Sequence, residues 1–143
     1  MLKITSLISS FILVSLIGLS QEEIGDSLTV KERAFSDSIA AINAVSAVNA
    51  AAMSAYNDGI QAFQAKNYDI AIQNFDKAIA GIPDFLDAYF NKGMAEMEVG
   101  KEKNAITSFD KVLEIEAGNS KSYIKKGECY ATLGDYNMAI QNL

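Results

Sequence analysis

The candidate catalytic groups in this sequence are carboxylates. Asp84 and Asp87 lie three residues apart, and Glu96 and Glu98 lie two residues apart, in stretches that are compatible with helix. At these spacings carboxylates on a helix usually form a solvated face, and no nucleophile, glycine-rich phosphate loop or metal-ligand cluster accompanies them. The sequence therefore predicts no catalytic residue, no metal site and no cofactor.

Histidine is absent from the 143 residues. Its absence excludes Ser/His/Asp and Cys/His triads, histidine zinc sites and every histidine general base. The one cysteine, Cys129, cannot form a disulfide within the chain, and it lies among small residues on a predicted helix, so we expect a packed thiol. These observations disfavour an enzyme.

The composition is acidic and half hydrophobic. Twelve Lys and Arg residues stand against 18 Asp and Glu residues, which gives a net charge of -6 and a pI near 4.6. Nucleic-acid binding needs a basic face, so we expect no nucleic-acid partner. The apolar half of the chain is sufficient to bury a core, and the acidic surface favours protein partners.

The first twenty residues have the pattern of a signal peptide. Lys3 precedes the uncharged run from Ile4 to Leu19, and the small residues Gly18 and Ser20 suit cleavage after Ser20. We therefore predict a signal peptide at 1–20 and export to the periplasm, the cell envelope or the medium. An uncleaved membrane anchor is the alternative, although the apolar run of 16 residues is shorter than the roughly 20 that a span needs.

A polar linker and an Ala-rich helix are predicted next. The linker covers residues 21–29, and Thr29 followed by Glu32 can form a capping box, which would start a helix at Val30. This N-terminal helix covers residues 30–51. Its large apolar side chains recur at three- and four-residue spacing: Phe35, Ile39, Ile42, Val45 and Val48.

The stretch from Ser38 to Asn57 carries no charge, so a second membrane span has to be considered there. The amide side chains of Asn43 and Asn49 disfavour a span, because unpaired amides in hydrocarbon are costly. We expect the 30–51 helix to pack on the first repeat instead. A wide apolar face in water needs a cover, so dimerisation or a partner helix is the alternative.

From residue 52 onward the sequence repeats with a constant 34-residue period. Gly59, Gly93 and Gly127 recur at this interval, and each is followed twelve residues later by an alanine. A fixed period of this length indicates stacked helical repeats. Aligned on the glycines, the repeats are residues 52–85, 86–119 and an incomplete 120–143.

Small residues and aromatic rings occupy corresponding places in the repeats. Two antiparallel helices approach to about 8 to 10 Å only where the contacting side chains are small, so glycine on one helix and alanine on the other let the rings interlock. The residues expected to pack the repeats are Gly59, Ala71, Phe75, Ala78, Pro83, Tyr89, Gly93, Ala105, Phe109, Tyr123, Gly127 and Ala139.

This pattern resembles the tetratricopeptide repeat family, a helix-turn-helix unit of the same length. The resemblance covers Ala52 to Leu143, and it departs from the family pattern at Ala55, Val112 and Ala117. It implies an all-α fold, a right-handed α-solenoid of helix-turn-helix repeats preceded by the extra Ala-rich helix.

The resemblance also implies that the first helix of each repeat lines a peptide groove. The expected groove residues are Tyr56, Asn57, Ile60, Phe63, Phe90, Asn91, Met94, Met97, Lys121, Lys125 and Glu128. One subgroup of the family binds a peptide's terminal carboxylate, and Asn91, Lys121 and Lys125 match its positions. Tyr56 and Ile60 stand where that subgroup has a lysine and an asparagine. We expect a peptide with an apolar stretch and an acidic end.

Two functions follow. The first is a non-catalytic, exported scaffold that binds a peptide or protein segment, with homo-oligomers formed through the 30–51 helix or the open C-terminal edge. Membrane contact is expected only through an uncleaved N-terminal segment. The second is the recognition arm of a larger envelope protein, because the sequence stops inside the second helix of the third repeat, and its enzymatic or signalling domain would lie beyond Leu143.

Overall fold

Six α-helices follow one another between residues 21 and 142, the part of the chain that the computed structural model describes, with side chains described from Thr29. This part contains no β-strand, so the predicted all-α fold is confirmed. The predicted signal peptide at 1–20 lies outside the described residues. The helices are α1 (Gln21–Gln64), α2 (Tyr68–Gly81), α3 (Leu86–Glu98), α4 (Glu102–Ile115), α5 (Ser120–Thr132) and α6 (Tyr136–Gln141).

The prediction of a linker at 21–29 is wrong, because these residues belong to helix α1. It begins at Gln21 and continues through Gly25 and Thr29. One glycine inside a helix costs only about 1 kcal/mol, and the stretch contains no proline, so the backbone has no strong reason to stop. The same helix then continues without a break to Gln64, inside the first repeat. A capping-box pattern therefore gave a wrong helix start here.

The chain forms two units, one ending at Val45 and the other beginning at Ser46. The described side chains of the first unit are exposed, including Val30, Phe35 and Ile42. By length and composition alone, the stretch Thr29–Gln64 is long and apolar enough to cross a membrane.

Within the second unit, α2 reaches back along α1 only as far as Val48. A Cβ placed on Gly81, the last residue of α2, would lie 2.7 Å from the Ala52 Cβ and 3.4 Å from the Val48 carbonyl oxygen. Residues 46–51 of α1 are exposed. The packing of the 30–51 helix on the first repeat stays a prediction.

Successive helices of the second unit pack as antiparallel neighbours, α3 on α2 and α4 on α3, followed by α5 on α4 and α6 on α5. Their contacts form two buried clusters. One is centred on Phe75, with Ala62, Ala71 and Ala95. The other is centred on Phe109. This stack of helical hairpins is an α-solenoid, as the sequence predicted.

The first helix of each pair ends in the same turn. Lys66, Gly100 and Gly134 occupy equivalent positions of the three repeats, and their φ angles are 60°, 71° and 81°. The amide that follows each of them donates to a carbonyl five residues back, as in the bond from Asn67 N to Ala62 O. This is the Schellman motif, which closes a helix with one left-handed residue and lets the chain reverse into the next helix.

Candidate functional site

The glycines of the first helices lie against phenylalanine rings of the second helices. A Cβ on Gly59 would lie 2.6 Å from Cε1 of Phe75, and one on Gly93 would lie 2.7 Å from Cε1 of Phe109. Real Cβ atoms do not approach this closely, so each ring occupies the space that the missing side chain leaves. This contact holds the first helices at a fixed distance from the second helices.

The other packing residues predicted from the sequence fall into two groups. Buried residues are Ala71, Ala78, Ala105, Gly127 and Ala139. Tyr89 is half-buried, whereas Pro83 and Tyr123 are exposed, the latter at 39%. Pro83 lies between α2 and α3 and therefore acts on the turn, not on the core.

The predicted groove residues are half-buried where they are apolar. Ile60 and Phe63 pack against the Phe75 cluster. Phe90, Met94 and Met97 pack against the Phe109 cluster, with the Phe90 and Phe109 ring centroids 5.6 Å apart. These side chains therefore contribute to the two buried clusters while part of their surface stays accessible. Asn57, Lys121 and Glu128 are exposed.

Tyr56 and Asn91 join the first helices of two successive repeats. Asn91 Nδ2 donates to the Tyr56 hydroxyl at 2.9 Å and to the Asp87 carbonyl oxygen at 2.9 Å. The Tyr56 ring packs on Phe85, with centroids 4.8 Å apart. Burial, followed by the charge of Asp87, raises the pKa of Tyr56. The sequence did not indicate this hydrogen bond.

The three residues that match the carboxylate-binding subgroup are differently engaged. Both amide protons of Asn91 are used within the chain. Lys125 donates to Glu128 Oε2 at 2.7 Å. Among the described residues Lys121 makes no ion pair. The structure does not bring the three together as free donors to one carboxylate.

A buried polar network that the sequence analysis did not anticipate lies beside these helices. Glu96 is only 3% exposed, although the sequence placed it on a solvated face. Ser108 Oγ donates to its Oε2 at 2.7 Å, and Lys92 lies 3.8 Å from its Oε1. Burial raises the pKa of Glu96, and the Ser108 hydrogen bond opposes that rise. A cavity of about 300 Å³ opens beside this network, lined by Tyr89, Lys92, Glu96, Asn104, Thr107, Ser108 and Lys111.

Cys129 is a packed thiol in the Phe109 cluster. It is fully buried, and burial raises its pKa to about 11. Such a thiol is a poor nucleophile because its thiolate is scarce. Within the part of the chain that the structure describes, no group of three His, Cys, Asp or Glu side chains could hold a metal ion.

Stacked helix pairs that recur every 34 residues, with small residues at the helix contact and the same closing turn, define a helical-repeat protein. The family model for the tetratricopeptide repeat matches residues 86–119 and 120–143. The chain therefore contains tetratricopeptide repeats over residues 86–143.

Known proteins agree with this assignment. The chain is 30% identical over 83 residues to Protein STIP1 homolog of Dictyostelium discoideum, covering 58% of this chain and 15% of that one. Among solved structures, the crystal structure of MamA is 26% identical, with a TM-score of 0.63 over 64% of this chain and 54% of MamA.

A second solved structure is the second TPR of Spaghetti (RPAP3), bound to the HSP90 peptide SRMEEVD. It is 23% identical, with a TM-score of 0.65 over 70% of this chain and 92% of that chain. At this identity the likeness is one of fold. The chain spans between 9% and 19% of the length of the curated relatives that it matches.

Proposed function

We propose that this protein is a non-catalytic scaffold that binds a peptide or protein segment across the first helices of its repeats. One observation carries the proposal: a row of partly exposed apolar side chains occupies equivalent positions of α1, α3 and α5. Its members are Ile60, Phe63, Phe90, Met94 and Met97, continued by Ile124, which is 45% exposed. The peptide complex of the second TPR of Spaghetti (RPAP3) supports this use of the fold.

A matched pair of variants tests the groove. Ile124 on α5 and Ile70 on α2 are exposed at 45% and 52%, so a charge at either position leaves the core intact. Peptides selected from a displayed library on the wild-type protein would be titrated against Ile124→Glu and Ile70→Glu. We expect Ile124→Glu to weaken binding about tenfold, which is about 1.4 kcal/mol, and Ile70→Glu to have no effect. Equal effects of both variants, or a library that yields no binder, would contradict the proposal.

Export remains part of the proposal, supported by the sequence of residues 1–20. Fusion of these residues to a reporter that is active only outside the cytoplasm, followed by N-terminal sequencing of the mature protein, tests both export and cleavage after Ser20. A membrane span in α1 is disfavoured by composition. Asn43 and Asn49 lie within its uncharged stretch, and unpaired amides in hydrocarbon are costly.

We also propose that the exposed apolar face of the 30–51 helix pairs with a second copy of the chain. Phe35 and Val30 are 70% and 65% exposed, and the uncharged stretch beyond Ser38 offers no charge to repel its own copy. Light scattering on the purified protein would report a dimer, and Phe35→Ser with Ile42→Ser would make it monomeric. A monomeric wild type at every concentration would contradict this part. Exposed Tyr136 and Ile140 offer the C-terminal edge as a second contact.

The alternative role is the recognition arm of a larger envelope protein. The size of the native protein, measured by immunoblot of the producing cells, distinguishes the two roles.

A further inference from the structure

The repeat period places opposite charges at equivalent positions of the first helices. Met53, Asp87 and Lys121 correspond to one another in the three repeats, which therefore present an apolar, an acidic and a basic side chain at the same place. Asp87 and Lys121 are both exposed. Neither has an ion-pair partner among residues 29–142.

The groups around Asp87 also present hydrogen-bond acceptors to a ligand. Asn91 lies one turn further along α3, and both protons of its amide nitrogen are taken by Tyr56 and by the Asp87 carbonyl oxygen. Its Oδ1 is therefore the amide atom left to meet a ligand, and it is an acceptor. Burial and then the charge of Asp87 raise the pKa of Tyr56, so the field of this carboxylate reaches the hydroxyl group. This part of the groove favours a cation.

The neighbours of Lys121 leave its charge uncompensated. Lys125 occupies the position equivalent to Asn91, and it is paired with Glu128 at 2.7 Å. This pair is close to neutral. Lys121 thus remains the cation of α5 that is free to meet an acidic group on this face.

We infer that the groove binds an extended segment carrying one basic and one acidic side chain, the basic one opposite Asp87 and the acidic one opposite Lys121. This inference rests on the proposed function and specifies its partner. An extended chain rises about 3.3 Å per residue, so charges three residues apart on the segment are separated by roughly 10 Å. A terminal carboxylate at the second repeat is disfavoured, because it would meet Asp87 and an acceptor.

Synthetic peptides test this inference. Four peptides with blocked ends share one frame of Leu and Phe, and they differ at two positions about three residues apart. The pairs at these positions are Lys/Glu, Lys/Lys, Glu/Glu and Gln/Gln. Affinities measured by fluorescence anisotropy at low salt should favour Lys/Glu over the others by about tenfold, and high salt should reduce that preference.

Charge reversal in the protein should redirect the preference. Asp87→Lys makes both positions basic and should make Glu/Glu the best ligand, whereas Lys121→Glu should make Lys/Lys the best. Lys103→Glu, an exposed charge on α4, is the control and should leave Lys/Glu preferred. Circular dichroism confirms that each variant is folded.

The outcomes separate the two proposals. Equal affinity for all four peptides, or Glu/Glu as the best ligand of the wild type, overturns the charge inference and leaves the scaffold function standing. Failure of all four to bind, including the uncharged Gln/Gln peptide, contradicts the scaffold function itself.

Discussion

Glu96 is a carboxylate that links three helices from within the solenoid. It accepts a hydrogen bond from Ser108 on α4 at 2.7 Å, and it lies 3.8 Å from Lys92 on its own helix. Lys92 in turn is paired with Asp76 on α2 at 2.6 Å. A buried carboxylate is tolerated where hydrogen bonds and a cation compensate for lost hydration.

The pKa of Glu96 makes the stability of the protein depend on pH. Burial raises this pKa above 4.5, its ordinary value, so the unfolded chain ionises first as the pH rises. Glu96 therefore stabilises the folded state at low pH, and this contribution to the free energy of unfolding is lost as the pH rises through the pKa that Glu96 has in the folded protein. Glu96→Gln cannot ionise and should not show this decrease. Urea titrations should show that the free energy of unfolding of the variant improves relative to wild type between acid and neutral pH.

A parallel pH dependence in the two proteins would show that Glu96 ionises alike in the folded and unfolded states. Ser108→Ala is the companion variant. It removes the hydrogen bond that opposes the rise, so the pKa should rise further and the pH dependence should become steeper.

Sequence reasoning identified the small residues at the contacts but not the polar ones. Gly93 recurs at a fixed interval, and a glycine that recurs inside predicted helices indicates a close contact with a neighbouring helix. Glu96 does not recur, since Ala62 and Tyr130 stand at its equivalent positions. Its burial depends on Ser108, twelve residues away, and the pairing of two such residues across helices is set by packing.

At the scale of the element, the closing turns differ in one residue. Gly100 and Gly134 adopt the left-handed conformation without strain, whereas Lys66 adopts it at φ 60° with a side chain. An L-residue in this region is disfavoured by roughly 1 to 2 kcal/mol. The first turn therefore holds strain that the second and third do not.

Replacing Lys66 by glycine should remove the backbone strain from the first turn, and replacing Gly100 by lysine should introduce it into the second. We expect Lys66→Gly to raise the free energy of unfolding by about 0.5 to 1 kcal/mol, and Gly100→Lys to lower it by about 1 kcal/mol. Urea titration measures both. A destabilising Lys66→Gly would mean that the lysine side chain makes a contact that outweighs the strain.

The glycine inside α3 is required by the approach of α4. Gly93→Leu would place its Cβ 2.7 Å from Phe109 Cε1. We expect the resulting overpacking to lower the free energy of unfolding by about 2 kcal/mol or more. Gly118 is the control, because a Cβ there would meet no atom within 4 Å. Gly118→Leu should change stability by less than about 0.5 kcal/mol. Equal midpoints in urea for both variants would refute the steric role of Gly93.

Element boundaries were the weakest part of the sequence analysis. Thr29 and Glu32 have the types and spacing of a capping box, yet α1 passes through them. Local residue types show that a helix can begin at a position, but whether it does depends on the residues before it. The turn positions follow instead from the 34-residue period, which makes Lys66, Gly100 and Gly134 equivalent although only two of them are glycine.

At the scale of the whole molecule, each helix of the second unit packs against the next helix along the chain. Its constant repeat period predicted both the helix pairing and the stacking order. The Phe75 and Phe109 clusters meet through α3, which contributes Ala95 to one, and Phe90, Met94 and Met97 to the other. In such an array, stability is set by each repeat and by its contacts with adjacent repeats.

This arrangement predicts that a destabilising substitution loosens its own cluster more than the other cluster. Cys129 reports on the Phe109 cluster, because it is fully buried there and its pKa is raised to about 11. Phe109→Leu and Phe75→Leu each lose about 1 kcal/mol of packing. We expect Phe109→Leu to accelerate labelling of Cys129 by a thiol reagent about fivefold, since a local opening exposes the thiol, and Phe75→Leu to accelerate it less. Equal acceleration would mean that residues 46–142 open as one cooperative body, and a nearest-neighbour description of the repeats would then be wrong.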